Sequence, residues 1–445
     1  MASETTSIPG IPVSRPSLPE VNGTVQVSRS SSYWRRLLAF MGPGFLISVG
    51  YMDPGNWATD IAGGSRFGYT LLFVVMASNL MAILLQSLSL KLGVATERDL
   101  AQMCREHSGR SVSFLLWLMA EVAIAACDLA EVIGSAIALN LLFHLPLMWG
   151  VLITGGDVLV ILLLQKWGFR VVEAVVIVLI GTILVLFWIQ MFLSHPQYGM
   201  AAHDLFVPSK DILLNPSMLY IAIGMLGATV MPHNLYLHSS IVQSRRYPRT
   251  PKGKREAIHL ANVDSAFALT IALFVNAAIL IVAAAVFHRS GHFEVAAIED
   301  AYKLLSPLVG AGFASTLFAI ALLASGQNSS ITGTLAGQVV MEGFLQLKMA
   351  PWLRRMVTRG IAIVPTVVVV ALWGARGTEK LLILSQVILS LQLSFAVIPL
   401  VAFTGSRRLM GAFVNAAWLK ALAWFVAAVI VVLNLWLLIQ TFAGR

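Results

Sequence analysis

The chain is 445 residues long, 58% hydrophobic and only 11% charged, with a mean hydropathy of +0.82 and a formal net charge of +9. Soluble globular chains carry about 25% charged residues, so a water-soluble fold of this length is excluded and lipid is the solvent of most of the chain. Two cysteines, Cys104 in a polar stretch and Cys127 in an apolar one, exclude a disulfide framework, and the basic balance fits cytoplasmic loops rather than a nucleic-acid surface.

Residues 1–37 are rich in Ser, Pro, Thr and Val and are expected to form a disordered cytoplasmic tail. No basic segment precedes an apolar core there, so a cleavable signal peptide is not expected. A membrane span needs roughly 20 apolar residues. Eleven such stretches follow, at about 38–63, 69–94, 112–141, 146–165, 171–194, 214–241, 262–287, 309–345, 356–374, 380–404 and 415–440. With the N-terminus inside, 23 of the 30 Lys and Arg residues fall on the same side as the tail, including the cluster from Arg245 to Arg255. The excess of positive charge on cytoplasmic loops therefore predicts a cytoplasmic N-terminus and, after an odd number of crossings, a C-terminus outside.

Two spans carry a mid-span proline beside residues that lipid rejects. The first contains Gly50-Tyr51-Met52-Asp53-Pro54-Gly55-Asn56 and the sixth Ala228-Thr229-Val230-Met231-Pro232-His233-Asn234. Proline has no N–H to give to the carbonyl four residues back, so Pro54 frees the carbonyl of Gly50 and Pro232 that of Ala228. A free carbonyl at membrane depth costs several kcal/mol unless something satisfies it, and a cation does so. Asp53 adds a charge, Asn56 an amide oxygen and Met231 a thioether sulfur. The two breaks lie five spans apart. Residues of about 38–194 and 214–404 are therefore expected to be two copies of one five-helix unit, inverted because five is odd, with 415–440 an extra helix. Broken helices at matching positions of inverted repeats point to a transporter's midplane site. The sulfur favours softer divalent ions over Ca²⁺, Mg²⁺ or Na⁺, which prefer oxygen shells.

The third span places Glu121, Asp128 and Glu131 seven and three residues apart, on one helical face. Carboxyls inside a membrane face protein or water. With His233 and His238 on the sixth span and Arg354 and Arg355 at the start of the ninth, they are the material of a proton route; a structural salt-bridge network is the alternative. Asp157 and Asp264 also lie near or within the membrane and receive no role from the sequence.

Asp53-Pro54-Gly55-Asn56 and Met231-Pro232-His233 resemble the paired hallmarks of the Nramp family of proton-coupled manganese and iron transporters. A third stretch agrees, Ser325-Gly326-Gln327-Asn328-Ser329-Ser330-Ile331-Thr332-Gly333-Thr334 with Ala336-Gly337-Gln338 and Met341-Glu342-Gly343-Phe344. The likeness runs from about residue 38 to the end. It implies an all-α membrane protein of eleven helices with the LeuT-type inverted repeat. It further implies a metal held by Asp53, Asn56, Met231 and the Ala228 carbonyl, with Gly50 and Gln386 joining in some states. Asp53, His233, Glu131, Asp128, Arg354 and Arg355 match the family's proton path, beside which Glu121 lies on the same stripe; Pro54, Gly55 and Pro232 make the breaks. The family often has Ala where this chain has Gly50.

The function this implies is proton-coupled import of Mn²⁺ or Fe²⁺, and of Cd²⁺ and Co²⁺, across the inner membrane by alternating access. The metal is then substrate and H⁺ the coupling ion, with no resident cofactor, no nucleic-acid partner and a monomeric state. A sodium-coupled organic symporter on the same fold is disfavoured by Met231 beside Asp53, and a passive channel by two breaks closing around one site. No nucleophile–base constellation suggests an enzyme.

Overall fold

A computed structural model describes residues 16–27, 32–156, 163–164, 166–295, 297–346, 351–373 and 378–442. A short helix, α1 (Tyr33–Phe40), precedes the first span, which is two helices, α2 (Pro43–Gly50) and α3 (Pro54–Phe67). The second span is α4 (Leu72–Thr96), joined by α5 (Leu100–His107) to the third, α6 (Arg110–Phe143). The fourth and fifth are α7 (Leu147–Gly155) and α8 (Phe169–Ser194). Two short helices, α9 (Tyr198–Phe206) and α10 (Asp211–Leu214), lead to the sixth, again in two pieces, α11 (Pro216–Thr229) and α12 (Pro232–Ile241). The seventh is α13 (Pro251–Ala283), continued by a π-helical turn over Ala284–His288. After α14 (Ile298–Val309) come α15 (Ala314–Leu345), α16 (Pro351–Trp373) and α17 (Thr378–Thr404), then α18 (Arg407–Met410) and the eleventh span, α19 (Ala417–Phe442).

Each expected span is helical over most of its described residues, with interruptions at 51–53, 230–231 and 310–313. Among the described residues, seven segments are long and apolar enough to cross a membrane by length and composition alone. The others fall short for visible reasons. The first span is cut by its break, and the fourth is described only in part. The eighth carries the polar run from Ser325 to Ser330, and in the ninth only Ile363–Leu372 is strongly apolar among the described residues. The stretch 309–345 also divides: Gly310, at φ 76°, ends α14, and α15 starts separately at Ala314.

The polar helices are central and the apolar ones peripheral. α15 packs along α6, and α12 against α15. By contrast α8 and α19 turn Val178, Trp188, Phe192, Phe425, Val432 and Ile439 outward. That arrangement is unfavourable in water and suits hydrocarbon, where only the backbone must be satisfied internally, as helices do.

Disorder is the expectation over 1–37, and the described part of that segment departs from it. Residues 16–27 are ordered against the body of the protein, and α1 is helical from Tyr33. Leu18, Val21 and Val25 are buried. The Leu18 N–H donates to Glu342 Oε2 at 2.7 Å, Gln338 Nε2 donates to Glu20 Oε1 at 2.6 Å, and the Gly23 N–H donates to the Gln243 carbonyl at 3.0 Å. Val25–Gln26 pairs in parallel with Arg245–Arg246. Low apolar content argues for disorder only when the chain must build its own core; here a few residues borrow one.

The start of α2 is anchored by the charges of other spans. Asp264, unassigned from sequence, accepts the N–H groups of Gly42 and Gly44, the latter at 2.7 Å, and so caps the helix from α13. Arg245, fully buried, pairs with Glu173 at 2.7 Å and donates to the carbonyls of Phe40 and Met41. Gly42 takes φ 141°, and a side chain there would run into Arg245 and Glu173. Asp157 lies outside the described residues.

Candidate functional site

Both breaks are built the same way. Asp53 is the N-cap of α3 and Pro54 its first helical residue; Met231 is the N-cap of α12 and Pro232 its first. Proline suits that position because its missing N–H is unpaired there anyway and its fixed φ already fits a helix. Each proline therefore starts a second helix rather than kinking a continuous one. The Asp53 side chain completes the cap by accepting the Asn56 N–H at 2.8 Å. Between α2 and α3 the turn at Tyr51 and Met52 exposes further carbonyls, and the protein satisfies them. Asn276 Nδ2 donates to the Tyr51 carbonyl at 2.7 Å, while Ser325 Oγ and Trp57 Nε1 donate to that of Met52. Ser325, the first residue of the polar run in the eighth span, thus braces the first break.

The two breaks meet. A Cβ on Gly50 would sit 3.2 Å from the Met231 sulfur and against the Asn234 side-chain amide. A Cβ on Gly55 would collide with the Gln386 amide, and one on Gly134 with the Pro54 ring. α11 packs against α3 and α17. Glycine at 50, 55 and 134 is what lets the first break approach the sixth, tenth and third spans so closely. Glycine at 50 leaves that space to Asn234 and Met231.

Asp53 and Met231 are fully buried, as is Gln386, and Asn56 is nearly so. No ion pair to Asp53 exists among the described residues. Asn56 Oδ1 and Gln386 Oε1, both buried acceptors, have no hydrogen-bond partner among the described residues. Each unsatisfied acceptor costs about 1–3 kcal/mol, which a bound cation removes. Pro54 and Pro232 also have no N–H to donate to the carbonyls of Gly50 and Ala228. Among the described residues no three His, Cys, Asp or Glu side chains group closely enough to hold a metal. A cage here depends on the amides, carbonyls and thioether around one carboxylate.

One thiol links this pocket to the carboxyl stripe. Cys127 Sγ lies 3.9 Å from Asp53 Oδ2, 3.8 Å from His233 Nε2 and 3.5 Å from Glu131 Oε1, and it packs with Met231, Ala123 and Leu389. Asp53, His233 and Glu131 are therefore gathered around a single sulfur atom. Asp128 and Glu131 both face Gly333 of α15, where an added Cβ would lie 2.6 Å from Asp128 Oδ1. Glu121, two turns back along α6, is also buried. α16 runs beside α6, but the side chains of Arg354 and Arg355 lie outside the described residues. His238 lies apart from the stripe, with Nδ1 2.9 Å from Gln86 Oε1; Gln86 in turn donates to the Tyr51 hydroxyl at 2.8 Å.

Several of these groups carry little signal in the sequence. Cys127 was one more apolar member of the third span. Asn234, whose two amide atoms lack partners among the described residues, was only a neighbour of Pro232. Asp60, buried seven residues beyond Asp53 on α3, was not singled out. The i to i+4 spacing of Cys127 and Glu131 was a usable signal; the placement of Asn234 depends on tertiary structure.

Paired broken helices around a polar, lipid-shielded centre, in a multi-pass helical membrane protein, define a transporter of the LeuT-type inverted-repeat class. Residues 44–440 match the Nramp family, described as natural resistance-associated macrophage protein-like. The chain is 62% identical over 433 residues to a divalent metal cation transporter MntH of a Nostoc species, covering 97% of this chain and 98% of that one. It is 60% identical to the protein of that name from Listeria monocytogenes, covering 96% and 95%. Among solved structures, a mutant of the Eremococcus coleocola manganese transporter superposes with a TM-score of 0.89 at 43% identity, over 97% of this chain and 93% of that one. The nucleobase-cation symporter Mhp1, 14% identical, matches at 0.60 over 89% of this chain and 90% of that one, and shares the fold alone. The chain belongs to the Nramp family of divalent metal cation transporters, and its relatives are transporters rather than enzymes.

Proposed function

We propose that this chain imports Mn²⁺ and Fe²⁺, and accepts Cd²⁺ and Co²⁺, across the cytoplasmic membrane together with a proton, by alternating access at the two breaks. The observation that carries the reading is the Asp53 carboxylate. It is fully buried where two helices are interrupted, without an ion pair among the described residues, and it shares its surroundings with unbonded oxygens of Asn56 and Gln386 and the sulfur of Met231. In this reading Asp53, Asn56, Met231 and the Ala228 carbonyl hold the ion, and the Gly50 carbonyl and Gln386 join as the site closes. The carboxylate supplies charge, the oxygens replace water, and the thioether selects softer ions.

A divalent ion adds two positive charges beside one carboxylate, so release of a proton from the same region offsets part of the new charge. Cys127 brings Asp53, Glu131 and His233 within 4 Å of one atom, and the stripe through Asp128 to Glu121 leads away along α6. In this reading the proton leaves along that stripe, toward Arg354 and Arg355. The protein is a monomer in the inner membrane, with a cytoplasmic N-terminus and a periplasmic C-terminus; a cytoplasm-only reporter fused after Arg445 is then silent, and a bright one refutes the orientation.

The test is uptake into proteoliposomes containing a pH dye, across Mn²⁺, Fe²⁺, Cd²⁺, Co²⁺, Ca²⁺ and Mg²⁺. Uptake of the first four with internal acidification is expected. Metal uptake without acidification removes the proton from the mechanism, and Ca²⁺ uptake equal to that of Mn²⁺ removes the role given to the sulfur.

A further inference from the structure

The N-terminal strap has no part in the transport chemistry, yet it is packed and bonded like a functional element. It touches two bodies. On one side it reaches α15, through Leu18 and Glu342 and through Glu20 and Gln338. On the other it reaches the segment that leaves α12, through Gly23 and Gln243 and through the parallel pairing of Val25–Gln26 with Arg245–Arg246. Met231 is the N-cap of α12 and Ile241 its last residue. The strap therefore grips the far end of the helix whose near end is the second break, about 15 Å away at 1.5 Å per residue.

We infer that residues Ser17–Gln26 form a latch that holds the transporter shut on the face bearing the tail, and that it must let go before the site opens to that face. The inference rests on the alternating-access reading of the paired breaks. Alternating access rocks one set of helices against another around a fixed site. α12 belongs to a broken span, and α15 is the continuous helix that braces the first break through Ser325. A path to the tail-bearing face between α12 and α15 separates the strap's two anchor points. A segment bonded to both resists that separation until one set of contacts breaks. The strap is small enough to do so. It holds three buried apolar side chains, Leu18, Val21 and Val25, and a two-residue strand pairing. A two-stranded pairing of that size is not stable alone, so either end can detach without unfolding the body.

Charge on the strap makes the contact selective. Leu18 sits beside Glu342, so an acidic side chain at 18 loses the apolar contact and adds repulsion. Loss of the leucine contact alone weakens docking by about tenfold or more.

The native Cys127 reports access to the site. The experiment uses the full chain with Cys104→Ser, leaving Cys127 as the single thiol, in membrane vesicles of either orientation. An impermeant thiol reagent is applied to one face at a time, to the parent, to a form lacking residues 1–27, and to Leu18→Asp. The latch predicts labelling about tenfold faster from the tail-bearing face in both altered forms, with no acceleration from the opposite face. Unchanged labelling from the tail-bearing face overturns it, as does acceleration from the opposite face. A lower melting temperature with unchanged labelling assigns the strap to stability alone and also overturns the latch. If Cys127 is unreactive from both faces in all three forms while Mn²⁺ uptake runs, the alternating-access reading fails first, and the latch with it.

Discussion

Replacing Met231 with alanine separates the two things this side chain does. It is fully buried against Ala123, Cys127 and Leu389, so truncation removes apolar contacts and leaves a space. Buried Met→Ala changes cost about 2–5 kcal/mol in stability. The low end is expected here, because Gly50 and the polar amide of Asn234 border the space and water can enter it. The same change deletes the soft donor while Asp53, Asn56 and both freed carbonyls remain. An all-oxygen site of that charge no longer penalises Ca²⁺ or Mg²⁺. Loss of one soft contact worth about 1.4 kcal/mol or more shifts the Cd²⁺ to Ca²⁺ preference at least about tenfold. Tracer uptake with competition across Mn²⁺, Cd²⁺, Ca²⁺ and Mg²⁺ reads this directly. Retained Mn²⁺ transport, weakened Cd²⁺ affinity and new transport or inhibition by Ca²⁺ or Mg²⁺ are expected. If the variant separates Cd²⁺ and Mn²⁺ from Ca²⁺ as sharply as the parent, the sulfur is packing and the ion class must be set by other groups.

Asp128→Asn is expected to slow proton movement more than metal binding, because Asp128 lies on the stripe rather than at the breaks; unchanged acidification beside normal uptake makes the stripe structural. Asp99, the buried N-cap of α5 outside the spans, is pushed by burial from 3.8 up to about 6. The folded chain therefore binds this proton more tightly than the unfolded one. The stability it contributes is full below about pH 4 and is lost as pH rises through about 6. Melting temperatures in detergent should show that component between pH 4 and 6 in the parent and not in Asp99→Asn; identical profiles for the two refute it.

The parts of the site legible in the sequence are those whose cause is local. Pro365 and Pro399 sit inside continuous helices, so a proline alone does not mark a break, but Asp-Pro-Gly-Asn and Met-Pro-His set one beside residues that lipid rejects and mark both breaks without tertiary information. That the breaks meet followed from their spacing of five spans. What the sequence could not yield is set by distant contacts. The strap is ordered by Gln338 and Glu342, more than 300 residues away, and its two-residue strand has no periodicity to read. The role of the polar run at Ser325 was visible only as a family likeness, because its physical cause is the Met52 carbonyl on another span. Cys127 was hidden for a similar reason: a thiol among alanines reads as apolar filling until Asp53 and His233 are placed against it.

The central claim is that Asp53 anchors the ion between the breaks. Asparagine at 53 has nearly the same shape and can still cap α3 through its side-chain oxygen, so the break should survive the change. Equilibrium binding of Mn²⁺ to purified Asp53→Asn, followed by the loss of free-ion paramagnetic resonance signal, tests the claim most directly. Removing one member of a buried charge pair costs about 3–5 kcal/mol, so a loss of affinity of at least about a hundredfold is expected, with the fold retained. Mn²⁺ bound by the folded variant as tightly as by the parent contradicts the account.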